Sequence, residues 1–151
     1  YGTPNEEPIN QYLIEEGAAY ARLSTTNGSL AIPQDFLNWQ FTCHHNTLAN
    51  YKEAFYNLPD NGSLQLLSIW GHSWEFDRDS TWDTILAPFL EELEQRKDEI
   101  WNPTNIELVD YIQAKNALVI TKDSIYNPSD VDVYVTIDGV PTIIQPHQTI
   151  Y

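Results

Sequence analysis

The run from Leu64 to Trp70 limits what this chain can become more than any other stretch. Its apolar residues are packed too densely for an amphipathic surface element, and it reads as a buried strand. Gly71 closes it, and His72 follows at once. In α/β folds, ligands and reacting groups gather on the loops just past strand ends. A histidine there suits proton transfer near neutral pH. The same residue can also do no more than hydrogen-bond the backbone of a tight turn.

The segments around that strand alternate between helical and extended patterns. Asn5 can cap a helix to Glu16, with Gly17 as its stop. Ala18 to Leu23 reads as a short strand, and Ser24 to Pro33 as a polar loop. Asp35 to Asn46 is irregular and aromatic. Leu48, Tyr51, Phe55 and Leu58 recur at helical spacing before the turn Pro59-Asp60-Asn61-Gly62. Trp82, Ile85, Leu86, Phe89, Leu90 and Leu93 mark a further helix that Pro88 must kink or divide, with Trp82 expected in the core. Ile100-Trp101 reads as a very short strand. Thr104 and Glu107 fit a capping box opening a helix to about Lys115.

From Leu118 the period changes to two. Leu118 to Thr121 is strand-like. Val131, Val133, Val135 and Ile137 alternate with Asp132, Tyr134 and Thr136, Asp138-Gly139 is a hairpin signal, and Thr142 to Ile144 can return as the partner strand. The expected organisation is α/β. Residues 1–117 form part of a (β/α) barrel of parallel strands and crossover helices, and residues 118–151 a small antiparallel β appendage. Three or four body strands are too few to close a barrel. The bare sheet edge then calls for the missing part of the same protein or for self-association.

The chain carries 22 acidic against 7 basic residues, a formal charge of −15. That argues against nucleic acid, which requires a basic surface. A neutral or cationic substrate fits better, although solubility alone also accounts for such a charge. Apolar runs stay far short of a membrane span. The single cysteine, Cys43, allows no internal disulfide. With no methionine and a start at Tyr1-Gly2-Thr3-Pro4, the chain reads as the inside of a longer protein.

Tyr1-Gly2, Ser24-Thr25, Gly71-His72 and Trp101-Asn102 all follow strands or the places where strands would end, so one shared cleft is expected. Arg22 either reaches that cleft or pairs with a surface acid. Trp70, Trp74, Trp82 and Trp101 either stack on sugar rings or fill the core. Glu75 and Asp77 read as residues that position the loop after His72. Adjacent His44 and His45 point apart if extended, so they are expected to be structural rather than metal ligands.

Tyr1-Gly2-Thr3-Pro4-Asn5, Gly17-Ala18-Ala19-Tyr20-Ala21-Arg22, Trp39 with Thr42-Cys43-His44-His45, and Trp70-Gly71-His72-Ser73-Trp74-Glu75-Phe76 together resemble the later half of the polysaccharide deacetylase family. Thr104-Asn105-Ile106-Glu107, Tyr111 and Tyr126-Asn127-Pro128 resemble the tail of a bacterial branch of it. The resemblance implies a distorted (β/α) barrel that removes N-acetyl groups from polysaccharide or oligosaccharide with a divalent metal, often zinc. It implies His72 as the acid toward the leaving amine and the backbone N–H of Tyr1 as an oxyanion donor. Arg22, Trp39, Trp70 and Trp74 are the expected substrate contacts. The family's first two motifs, an aspartate pair and a His-x-x-x-His, would lie before Tyr1. The metal is therefore expected in the full-length protein and not on this chain alone, which is expected to be inactive by itself. A polysaccharide substrate implies an extracellular or cell-envelope setting. The alternative is a non-catalytic carbohydrate-binding module that keeps the fold without the chemistry.

Overall fold

The computed structural model describes residues 7–59 and 62–151. The Tyr1-Gly2 segment, the Asn5 cap, and Asp60-Asn61 of the expected turn lie outside the described residues. The chain divides into two compact units, with the division between Asn102 and Pro103.

In the first unit, α1 (Glu7–Glu15) ends as its sequence predicts. Gly17 adopts φ 74°, Ala18 N–H donates to Leu13 O (2.8 Å) and Gly17 N–H to Ile14 O (3.0 Å), which satisfies carbonyls left open at a helix end. β1 (Arg22–Thr26) pairs in parallel with β2 (Trp39–Phe41), Arg22 opposite Trp39 and Thr26 opposite Phe41, with a register shift between. β3 (Cys43–His44) pairs in parallel with β4 (Ile69–Trp70), and His44 sits opposite Trp70. α2 (Ala49–Tyr56) lies in the crossover between them. α3 (Ser73–Asp79) leaves β4 almost at once, and a π-helical turn (Trp82–Leu86) leads into α4 (Ala87–Gln95).

The chain is therefore mixed α/β with parallel pairs and a helical crossover, but no barrel is closed. Among the described residues the sheets have two or three strands each, where part of a parallel (β/α) barrel was expected. Polar residues explain the short ladders. Thr42 N–H and Cys43 N–H both donate to Ser68 O (2.9 and 3.2 Å), Ser68 N–H donates to the Thr42 hydroxyl (3.1 Å), and that hydroxyl donates to Ser29 O (2.7 Å). Buried hydroxyls thus occupy positions that ladder amides and carbonyls would otherwise fill. As a result, only Ile69–Trp70 of the Leu64 to Trp70 run is regular strand, while Gln65 bridges Ala31 in the antiparallel sense.

Cys43, Leu48 and Phe89 are buried together, with Ile69, Ile85 and Leu93 packed against them. Burying a leucine or phenylalanine contributes about 2 kcal/mol. Lys52 Nζ and the Tyr56 hydroxyl both reach Glu92 (2.8 and 3.0 Å), tying α2 to α4. Pro88 divides the expected long helix, as its missing N–H requires. The π turn precedes it, and Ala87 N–H reaches back to Trp82 O. Trp82, expected in the core, is 46% exposed and only tilts against Phe76. Ile100 and Trp101 form no strand.

In the second unit, Thr104 and Glu107 form the expected capping box of α5 (Asn105–Ala117). β5 (Val119–Ile120), β6 (Ile125–Tyr126) and β9 (Thr149–Ile150) make an antiparallel sheet in that spatial order. β7 (Val133–Ile137) and β8 (Val140–Ile144) form the expected hairpin. Asp138 and Gly139 both adopt positive φ (50° and 81°), the backbone that a two-residue turn of matching twist requires. Val109, Val133 and Ile144 are fully enclosed, together with Asn127. No described helix is long and apolar enough to cross a membrane.

Candidate functional site

The parallel register of β3 with β4 decides where the histidines meet. His44 ends β3 beside Trp70, and two residues later His72 forms the N-cap of α3. Glu75 is the third residue of that helix. Its Oε2 accepts the backbone N–H of His72 (2.8 Å), so the carboxylate closes the helix start and turns inward. The same oxygen lies 3.1 Å from His44 Nε2, 3.3 Å from His72 Nδ1 and 3.9 Å from His45 Nδ1.

Glu75 is buried while the His72 side chain is 49% exposed, so a buried charge holds a half-exposed imidazole. The His72 backbone N–H, more than any other contact, keeps the Glu75 carboxyl below its ordinary range against the opposing pull of burial, with His44 adding to the effect. The Asn46 N–H donates to His44 Nδ1 (3.3 Å), which assigns the His44 proton to Nε2 and makes Nε2 the donor to Glu75.

His45 is enclosed directly beneath this cluster, at 1% exposure. Among the described residues, neither of its ring nitrogens has a hydrogen-bond partner. Its ring tilts against His44 at 4.3 Å between centroids and meets Phe76 edge-on at 5.5 Å.

No protein-family model, curated protein or solved structure matches this chain.

A row of ring contacts crosses the site. The Arg22 guanidinium lies over Phe41 (5.8 Å), Phe41 stacks on Trp70 (6.3 Å), and Trp70 meets His72 edge-on (5.4 Å). His72 stacks on Trp74 (5.2 Å), whose ring lies beneath Arg78 (4.5 Å). Three of the four expected substrate contacts, Arg22, Trp70 and Trp74, thus belong to one row with His72. Trp74 is 54% exposed. Trp39 does not join them. It is 1% exposed, packed between Tyr20 and Phe36, and has no surface for a ligand as folded. Its bulk and the parallel β1–β2 pairing place it in the core. Tyr1 lies outside the described residues.

Metal ligands were expected only upstream of this chain. Among the described residues, however, ligand atoms of His44, His72 and Glu75 all lie within 4.8 Å of one another, and this set could hold a metal ion. Two imidazoles and a carboxylate are donors that zinc and similar ions take. His44 and His45 were expected to point apart and to be structural; instead their rings tilt together at 4.3 Å and both face Glu75 Oε2, at 3.1 and 3.9 Å, although of the two only His44 belongs to the set. It is His72 and Glu75, from another segment, that complete it. The sequence signal for Glu75 was its place three residues after a strand-ending histidine, the spacing of a helix-capping carboxylate.

Proposed function

We propose that this chain is part of a metal-dependent hydrolase, built on a (β/α) barrel, that removes N-acetyl groups from polysaccharide, with His72 as the general acid. The reading is carried by one observation: the carboxylate of Glu75 faces Nδ1 of His72 and accepts its backbone N–H. A carboxylate on Nδ1 orients the ring and leaves Nε2 as the nitrogen that gives up a proton. The resemblance of the motifs around Gly71-His72 to polysaccharide deacetylases supplies the reaction class.

In that reaction water adds to the acetamide carbonyl, the C–N bond breaks, and the departing amine takes the proton from His72 Nε2. A bound zinc ion, held by residues preceding this chain, would polarise the carbonyl and activate the water. Trp74 and Trp70 would border the sugar, and Arg22 would reach its hydroxyls. The Tyr1 backbone N–H would serve the developing oxyanion.

Acetate release from N-acetylated glucosamine oligomers tests this. The chain joined to its preceding segment is expected to release acetate and the chain alone is not. His72→Ala is expected to slow release roughly 10²- to 10⁴-fold. Full activity in His72→Ala, or none in the joined protein, overturns the reading.

The exposed, His72-stacked ring of Trp74 favours one alternative, a carbohydrate-binding module without catalysis. Oligosaccharide binding that persists in chelator and falls in Trp74→Ala, without acetate release, would select it.

A further inference from the structure

We infer that His44, His72 and Glu75 form a binding site for one divalent transition-metal ion of the zinc or cobalt kind on this chain itself, separate from any metal held by residues that precede it. The binding claim stands on geometry alone. Only its consequence for catalysis rests on the reading of His72 as an acid.

The spacing of the donors is the first argument. An ion bonded at 2.0–2.1 Å to tetrahedral ligands sets those ligands about 3.3 Å apart. His44 Nε2 and His72 Nδ1 lie 3.1 and 3.3 Å from Glu75 Oε2, so two edges of that tetrahedron are already present. Rigidity is the second. Glu75 is buried and fixed by the His72 backbone N–H, and the edge of Trp70 confines the rings of His44 and His72 at 4.9 and 5.4 Å. Half of the His72 side chain faces solvent. That open side also leaves a coordination position for water or a ligand.

The third argument is independent of the ligand set. His45 is enclosed, neither ring nitrogen is hydrogen-bonded to a described residue, and Nδ1 faces Glu75 Oε2 from 3.9 Å. A buried, unpartnered imidazole directed at a cluster of ligands is unusual, since buried polar groups are normally satisfied. It makes the pocket richer in imidazole nitrogen than a single histidine–carboxylate pair requires.

Ion binding changes two hydrogen bonds. With Nε2 of His44 on the ion, its proton moves to Nδ1, and the exposed Asn46 N–H loses its acceptor to water. With Nδ1 of His72 on the ion, the ring proton is left on Nε2, and the contact of Nδ1 with Glu75 that the proposed acid role uses is given up to the ion.

Calorimetric titration of the 151-residue chain with zinc chloride, repeated with cobalt chloride while recording visible absorption, tests the site. One equivalent is expected to bind, with cobalt bands of a low-symmetry nitrogen–oxygen site and a shifted Asn46 amide resonance. His72→Ala and His44→Gln, the latter keeping an N–H donor for Glu75, are each expected to weaken binding by roughly 10- to 100-fold. His147→Ala, which removes a contact with Asp130, is expected to leave it unchanged. No stoichiometric binding, or binding that both cluster variants leave intact, overturns the inference. Because the readout is binding, a lack of deacetylase activity would count against the proposed reaction and leave this site standing.

Discussion

Gly71 lies against the ring of His45 so closely that a Cβ at position 71 would fall 2.7 Å from Cε1 and overlap Nδ1. The glycine that ends β4 therefore serves packing. Its backbone passes over a fully enclosed imidazole that has nowhere to retreat. Gly71→Ala is expected to destabilise the first unit by about 1–3 kcal/mol through overpacking, read as a lower denaturation midpoint. It should also disturb the His44 and Glu75 resonances, because His45 packs directly on His44. An unchanged midpoint would contradict this close approach.

Acid sensitivity follows from the capping carboxylates. The backbone N–H of Thr104 and then its hydroxyl hold the Glu107 carboxyl below its ordinary value of 4.5. Glu75 and Glu92 are lowered in the same direction, by the His72 N–H and by Lys52 respectively. A carboxyl lowered on folding contributes fully above its unfolded value and loses that contribution as pH falls through its folded one. Melting temperature should thus be level above about pH 5 and fall below it. Glu107→Gln, which keeps an acceptor for the cap but carries no charge, should flatten that fall in melts recorded from neutral to acid pH.

Cys43 packs with Leu48 and Phe89, and burial pushes its thiol up to about 11. The thiolate is the reactive form, so the folded chain should resist thiol reagents at pH 8. Labelling should appear only with denaturant, along the unfolding curve. Rapid labelling without denaturant would mean that β3 opens locally.

Asn127 organises the second unit from a fully enclosed position. Its Nδ2 donates to Val131 O (2.8 Å), Ile144 O (2.9 Å) and Gln145 O (3.2 Å), while Oδ1 accepts from the Ser129 N–H (3.0 Å) and hydroxyl (2.7 Å). Asn127→Asp would direct a carboxylate at three carbonyls. It should cost about 3 kcal/mol or more, measured by denaturant unfolding, with the loss growing as pH rises and the carboxyl ionises.

Local chemistry was legible wherever one short segment contained its own partners. Gly17 stops α1, Thr104 and Glu107 open α5, and Asp138-Gly139 turns the hairpin, each because the interacting groups are within a few residues. The strand expected over Leu64 to Trp70 shrank to its last two residues because Ser68 and Thr42, 26 positions apart, exchange hydrogen bonds that no periodicity reports. Aromatic residues were the least legible. Trp39 and Trp74 look alike in a sequence, yet among the described residues one is the largest fully buried side chain and the other stands half in solvent. Burial of a tryptophan depends on what lies opposite it.

For the site, the sequence by itself determined that a histidine follows a strand end, and it placed Glu75 on the loop behind it, where the structure has the first turn of a helix. The first is a local fact, set by strand periodicity. Only the tertiary structure decided that His44, 31 positions before Glu75, shares its oxygen, and that His45 is sealed beneath it. That outcome depends on the parallel register of β3 with β4, where a slip of one residue would turn His44 to the opposite face.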